Sequence, residues 1–145
     1  MLKADAMNPT LDIQVAQQLV SKASRMAAAQ YGRPICVAVC DAAGFLIAFA
    51  REPGAPIRSI AISQGKAYTA ARMGVETVAF HERLQREHLQ PGDFCDDRLT
   101  ALPGGAPIVD TTGQLLGAIG VSGLTAAQDQ AIVTQVAAEW TKPGV

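Results

Sequence analysis

A chain of 145 residues and 15.1 kDa has room for one domain and one core. Hydrophobic residues make up 49% and charged residues 17%, which excludes intrinsic disorder. Twelve basic and thirteen acidic residues leave a net charge of −1, and aromatics are only 5%, so the chain has neither the basic footprint nor the stacking surface of a nucleic-acid binder.

Residues 1–10 contain no apolar run of the kind a leader needs and read as a tail, as do residues 141–145; residues 11–140 form the single domain. The longest apolar stretches, residues 35–40 and 45–50, fall far short of the ~20 residues that span a bilayer, so no membrane partner is expected. Cys36 and Cys40 lie on one strand, roughly 13 Å apart, beyond the reach of a disulfide. Free thiols in a chain without a leader point to the cytoplasm.

The first helix is predicted over residues 11–30, with Thr10 as its N-cap, an apolar stripe of Ala16, Leu19, Val20, Ala23 and Ala27, and Gly32 and Pro34 as its stop. Two strands follow, residues 35–40 and 45–51, joined by Asp41-Ala42-Ala43-Gly44 as a hairpin. Both faces of these strands are apolar, which calls for cover on both sides and hence a three-layer arrangement. Ser59 caps a second helix over residues 60–73, and a charged third helix spans 77–88. Residues 93–102 have no period and read as an irregular loop with room for one further short strand. A second hairpin, residues 106–109 and 115–122, turns at Asp110-Thr111-Thr112-Gly113, repeating the D-x-x-G-x-L device of the first. Thr125 and Gln128 make a capping box for a last helix ending near Glu139. Hairpins rather than crossovers join the strands, so the sheet is mostly antiparallel.

Several segments stand in a distinctive order: Val37-Ala-Val-Cys-Asp-Ala-Ala-Gly, Arg51, Lys66-Ala-Tyr-Thr-Ala-Ala-Arg, Gly104-Gly-Ala-Pro-Ile, Gly117-Ala-Ile-Gly-Val-Ser-Gly and Asp129. Over residues 11–138 the chain thereby resembles the GlcG/HbpS-like family, also called the haem-degrading or PduO C-terminal domain family. The resemblance implies an α+β, profilin-like three-layer α/β/α fold with a five-stranded, mostly antiparallel sheet. It also implies a catabolic setting, assembly into homo-oligomers, and in some members the binding of haem or a related tetrapyrrole.

Lys66 shares a helix face with Ile62, Ala70 and Met73, which puts its stem on a buried side. There it meets a carboxylate or acts as a base if desolvated; the alternative is a surface-seeking lysine or a structural ion pair. Arg51, at the end of an apolar strand, suits a bidentate carboxylate clamp, or else pairs with Glu52 or Asp41. Asp41 and Asp110 are most economically turn residues. Gly104 and Gly105, before a strand, offer amides to an anion, and Ser122 and Gly123 border the same strand end; helix-on-sheet packing explains Gly117 and Gly120 equally well. Asp129, in the first turn of the last helix, partners Lys66 or serves as a base. His81 and His88, about 10.5 Å apart along a helix, cannot share a metal ion; His81 is the candidate haem ligand, although exposed histidines on a charged helix are the commoner case. No zinc motif is present.

The reading that follows is a small oligomeric protein binding haem or a similar flat anionic ligand through Lys66, Arg51, Gly104, Gly105, Ser122 and Gly123. The alternative is a cofactor-independent isomerase or hydrolase acting on a small unsaturated carboxylate, such as an aromatic ring-cleavage product, with Lys66, Arg51 and Asp129 as its catalytic groups.

Overall fold

The computed structural model describes residues 11–140; the two tails read from the sequence, and Thr10 as a cap, lie outside the described residues. Helix α1 (Ile13–Tyr31) takes its cap from Asp12 instead, whose side chain accepts from the Val15 amide at 2.8 Å. Its buried face is Ala16, Leu19, Ala23 and Ala27. It stops at Gly32, which adopts the left-handed φ of 64° that a residue without Cβ reaches at little cost.

Strands β1 (Cys36–Asp41), β2 (Leu46–Arg51), β3 (Gly105–Val109) and β4 (Leu115–Ser122) form one antiparallel sheet in the order β2-β1-β4-β3. Both hairpins close on the same device. Asp41 Oδ1 accepts from the Ala43 and Phe45 amides at 2.9 Å, and Asp110 Oδ1 from the Thr112 and Gln114 amides at 2.8 and 2.9 Å. Both aspartates are turn residues.

The strand faces sort the layers. Val37, Val39, Ile108, Ile119 and Val121 point toward α1 and α4 (Ala126–Trp140), while Ala38, Cys40 and Ala118 point toward α2 (Ser59–Met73). The first face carries large aliphatic side chains, each contributing about 1.5–3 kcal/mol on burial. The second is built from small residues and brings α2 close to the sheet. Central β1 is covered on both sides, as its apolar faces require. β2 departs from that expectation: as an edge strand it is only partly covered, and its first residue Leu46 and the preceding Phe45 stay exposed.

Three further expectations are corrected. Among the described residues the sheet has four strands rather than five, because residues 93–102 are held by side chains and do not pair as a strand. The Thr100 amide donates to Thr69 Oγ1 at 2.9 Å, the Arg98 amide to Asp96 Oδ1 at 3.1 Å, and the Tyr68 hydroxyl to Asp96 Oδ2 at 2.6 Å. Ser59 is not a cap; it opens α2 and its hydroxyl accepts from Ser122 at 2.9 Å. Helix α3 (Thr77–Glu87) ends one residue early because His88 turns into the left-handed region at φ 57°, so His88 shares no helix face with His81. The capping box of α4 is present, with reciprocal Thr125 and Gln128 bonds at 3.2 Å.

Candidate functional site

Lys66 sits midway along α2, and glycines beneath it let the helix settle onto the sheet. A Cβ at Gly120 would stand 2.2 Å from the Ser63 carbonyl oxygen, and one at Gly105 would stand 2.4 Å from that of Lys66, so any larger residue forces the helix outward. Gly104, at φ 127°, has the Lys66 ammonium 2.7 Å from where a Cβ would lie.

The Lys66 side chain is 3% exposed and donates to Asp129 Oδ2 at 3.0 Å and to the Val121 carbonyl at 2.9 Å. Asp129 lies in the first turn of α4, and its Oδ1 accepts from the Leu124 amide at 3.1 Å. Burial pushes the Lys66 ammonium below the ordinary lysine value and the Asp129 carboxyl above the ordinary carboxylate value, each partly offset by the charge of the other. Because α2 and α4 cover opposite faces, this ion pair ties the two outer layers together around the end of the sheet.

The pair forms the floor of a cleft of about 220 Å³. Ile62, Leu102 and Leu124 give it apolar walls, and the bonded hydroxyls of Ser59 and Ser122 line one side. Arg33, just beyond α1, and Arg58, just before α2, stand at its rim; both are exposed, and neither makes an ion pair among the described residues. Lys66 and Asp129 neutralise one another, so the two arginines give the cleft its net positive charge.

Of the residues singled out from the sequence, Lys66, Asp129, Ser122 and Gly123 line this cleft, and Gly104 packs against its floor. The amides of Gly104 and Gly105 are not free for an anion: the first donates to Gln130 Oε1 at 2.7 Å and the second to Thr77 Oγ1 at 2.8 Å. Gln130 returns a bond from Nε2 to the Gly105 carbonyl at 3.1 Å, closing an internal network. Arg51 is exposed at the end of β2, donates to the Glu52 carbonyl at 3.5 Å and does not line the cleft, so it and Lys66 do not share a pocket. Glu52 turns away from it to accept from the Ile35 amide at 2.7 Å and from the Ser24 hydroxyl. His81 also lies outside the cleft lining, with Nδ1 3.0 Å from the Ala101 carbonyl oxygen.

Arg33 and Arg58 are the two residues that sequence reasoning passes over. Their one signal is position, each beside a proline or one residue removed from it at a helix boundary, and nothing in the linear pattern says that the two boundaries meet. Among the described residues, no group of three or more His, Cys, Asp or Glu is placed to hold a metal ion, and no helix is long and apolar enough to cross a membrane.

The family described as "Haem degrading protein HbpS-like" matches residues 11–138 of the chain. Protein GlcG of Escherichia coli K12 is 39% identical over 89 residues, which span 61% of this chain and 63% of GlcG. Among solved structures, HbpS superposes with a TM-score of 0.80 at 27% identity, covering 90% of each chain. PduOC, determined as a heme complex, superposes at 0.77 and 24% identity over 90% of this chain and 94% of its own; at that identity the likeness concerns the fold.

Proposed function

Since the chain belongs to the HbpS-like family, we propose that it is a homo-oligomeric binding protein for haem or a similar flat, carboxylate-bearing ligand. The ligand enters the cleft at the end of the sheet edge-on, and Arg33 and Arg58 receive its carboxylates. The observation that carries this reading is the pair of exposed guanidiniums, without an ion-pair partner among the described residues, at the rim of an apolar-walled cleft. Planar forks with fixed donors suit carboxylates in bidentate geometry. Lys66 is not the anchoring cation in this reading. Its charge is already matched by Asp129, and it serves as a fixed polar floor that holds the walls in place.

The fit to haem is uneven. Its carboxylate edge matches the two arginines and its apolar body matches Ile62, Leu102 and Leu124. The iron finds no imidazole, thiolate, thioether or phenolate among the described residues lining the cleft. The nearest thiol by strand register is that of Cys36, opposite Ser122, and it is fully buried beneath the surface. The cleft is also smaller than the roughly 300–1,000 Å³ of a site enclosing a drug-sized ligand, so one chain takes only an edge of a large ring. Assembly with further copies is supported by the half-covered β2 edge, where Phe45 and Leu46 are 65% and 51% exposed, and by Ile13 at the start of α1 nearby, 56% exposed.

The test is a titration of hemin into the wild type and an Arg33→Met/Arg58→Met variant, followed in the Soret region. Saturable binding by the wild type, weakened at least about tenfold in the variant, is the expected result. Absence of any wild-type binding contradicts the reading.

The small volume favours a second reading, an isomerase or hydrolase acting without a cofactor on a small unsaturated carboxylate. The arginines would orient the carboxylate, and the Lys66–Asp129 pair at the floor would move a proton. Lys66→Met abolishing a turnover that Arg51→Met leaves intact is the expected pattern; full turnover by Lys66→Met removes the basis for it.

A further inference from the structure

We infer that the cleft is built for a short oxo acid, whose carboxylate is received by Arg33 and Arg58 at the rim while its carbonyl oxygen reaches down to Lys66 and the Ser59–Ser122 hydroxyls. The inference rests on the second reading above, a small carboxylate oriented by the two arginines, and narrows that reading to a substrate class.

Donors outnumber acceptors at the floor. The Lys66 ammonium carries three protons. Asp129 Oδ2 accepts one at 3.0 Å and the Val121 carbonyl another at 2.9 Å, which leaves the third without an acceptor among the described residues. Ser59 and Ser122 bring two hydroxyl protons, and the one bond between them, 2.9 Å long, uses a single proton. A second proton is therefore left over, whichever serine donates. These donors are deeply buried, Lys66 at 3%, Ser59 at 2% and Ser122 at 6% exposure, on side chains that line the cleft. A buried donor without a partner is costly, so the floor favours a ligand atom that accepts. Asp129, the one carboxylate among the described lining residues, already has a donor on each oxygen, from Lys66 and from the Leu124 amide.

The acceptor that suits this floor is neutral. Lys66 and Asp129 cancel one another, and a further full negative charge set there would be buried against the Asp129 carboxylate. A carbonyl oxygen has two lone pairs and no charge, enough for the spare Lys66 proton and the spare hydroxyl proton. The rim differs, because its two exposed guanidiniums, without an ion-pair partner among the described residues, suit a carboxylate. Rim and floor are close together: the charge of Arg33 acts on the Asp129 carboxyl. The cleft of about 220 Å³ has room for roughly seven non-hydrogen atoms at about 30 Å³ each. Carboxylate and carbonyl therefore belong to one short molecule, with the carbons between them against Ile62, Leu102 and Leu124.

The experiment titrates the full chain by calorimetry with 2-oxopentanoate, 4-oxopentanoate, pentanoate, glutarate and the neutral ketone 2-pentanone. The better of the two oxo acids is expected to bind at least about tenfold tighter than pentanoate, glutarate or 2-pentanone. Ser59→Ala/Ser122→Ala, which removes the hydroxyls and keeps the ion pair, should shrink the preference for the oxo acid over pentanoate at least about threefold. Arg33→Met/Arg58→Met should weaken oxo acid and pentanoate alike and leave the preference standing. Pentanoate or glutarate binding as tightly as the better oxo acid overturns the inference and leaves the small-carboxylate reading intact. A preference undiminished by loss of both hydroxyls overturns it too. If none of the acids binds, the small-carboxylate reading itself fails.

Discussion

Replacing Lys66 by Met removes one partner of an ion pair whose side chains are only 3% and 4% exposed. The Asp129 carboxylate is then left buried with a single remaining donor, the Leu124 amide. Breaking a buried pair from one side costs about 3–5 kcal/mol, which for a chain of this size lowers Tm by roughly 10–15 °C. The pH dependence follows from the direction of the Asp129 shift. Burial raises its folded-state value above the ordinary carboxylate value, and removing the lysine takes away the larger of the two charges that oppose the rise, leaving that of Arg33. A carboxyl whose folded-state value is raised favours the folded state when protonated and penalises it when ionised. The deficit of Lys66→Met relative to the wild type is therefore complete near neutrality and shrinks as the pH falls toward the ordinary carboxylate value. Adding Asp129→Asn, which keeps an oxygen for the Leu124 amide and removes the charge, should restore at least about half of the loss. Urea denaturation of the three proteins at about pH 7 and about pH 5 reads all of this. A loss below about 1 kcal/mol, with no change between the two pH values, would refute the description of the pair as buried and mutually dependent.

Gly120→Ala should cost at least about 2–3 kcal/mol in urea denaturation, since its methyl would lie 2.2 Å from a backbone oxygen of α2 and the helix must lift off the sheet. Gln130→Ala should cost about 1–3 kcal/mol, because the buried Gly104 amide loses its acceptor; hydrogen exchange at Gly104 should quicken with it. Arg51→Met should change stability by less than about 0.5 kcal/mol and leave hemin affinity within about twofold of the wild type, as its only side-chain bond among the described residues is to a neighbouring carbonyl. Cys40 should resist alkylation in the folded protein, since burial pushes its thiol up to about 12; rapid labelling under native conditions would contradict its placement under α2.

The local chemistry of the fold was legible because it is written in short range. The two D-x-x-G turns, the Thr125–Gln128 box and the face of α2 that Lys66 shares with Ile62, Ala70 and Met73 each depend on residues a few positions apart. What was not legible depends on closure in three dimensions. A fifth strand had no signature against it in residues 93–102, since the bonds that hold that loop come from Thr69 and Tyr68 on another element. The apolar pattern of β2 matched that of β1, yet a strand's place in a sheet is set by its neighbours, and β2 lies at the edge. At the site, Lys66 and Asp129 were found by the face each occupies on its own helix. Arg51 was singled out by the strand it ends, but that strand end lies off the cleft, whereas Arg33 and Arg58 reach it from loops whose convergence no linear spacing encodes. The Gly104 and Gly105 amides looked available because their acceptors, Gln130 and Thr77, lie 26 and 28 residues away.

The central claim is that the cleft framed by Arg33 and Arg58 over the Lys66–Asp129 floor is where the ligand binds. A crystal structure of the protein grown with hemin or protoporphyrin IX tests it most directly. The account expects ring carboxylates within hydrogen-bond distance of both guanidiniums, with Lys66 still bonded to Asp129. A ring seated instead against His81 or along β2, with the two arginines untouched, would contradict it.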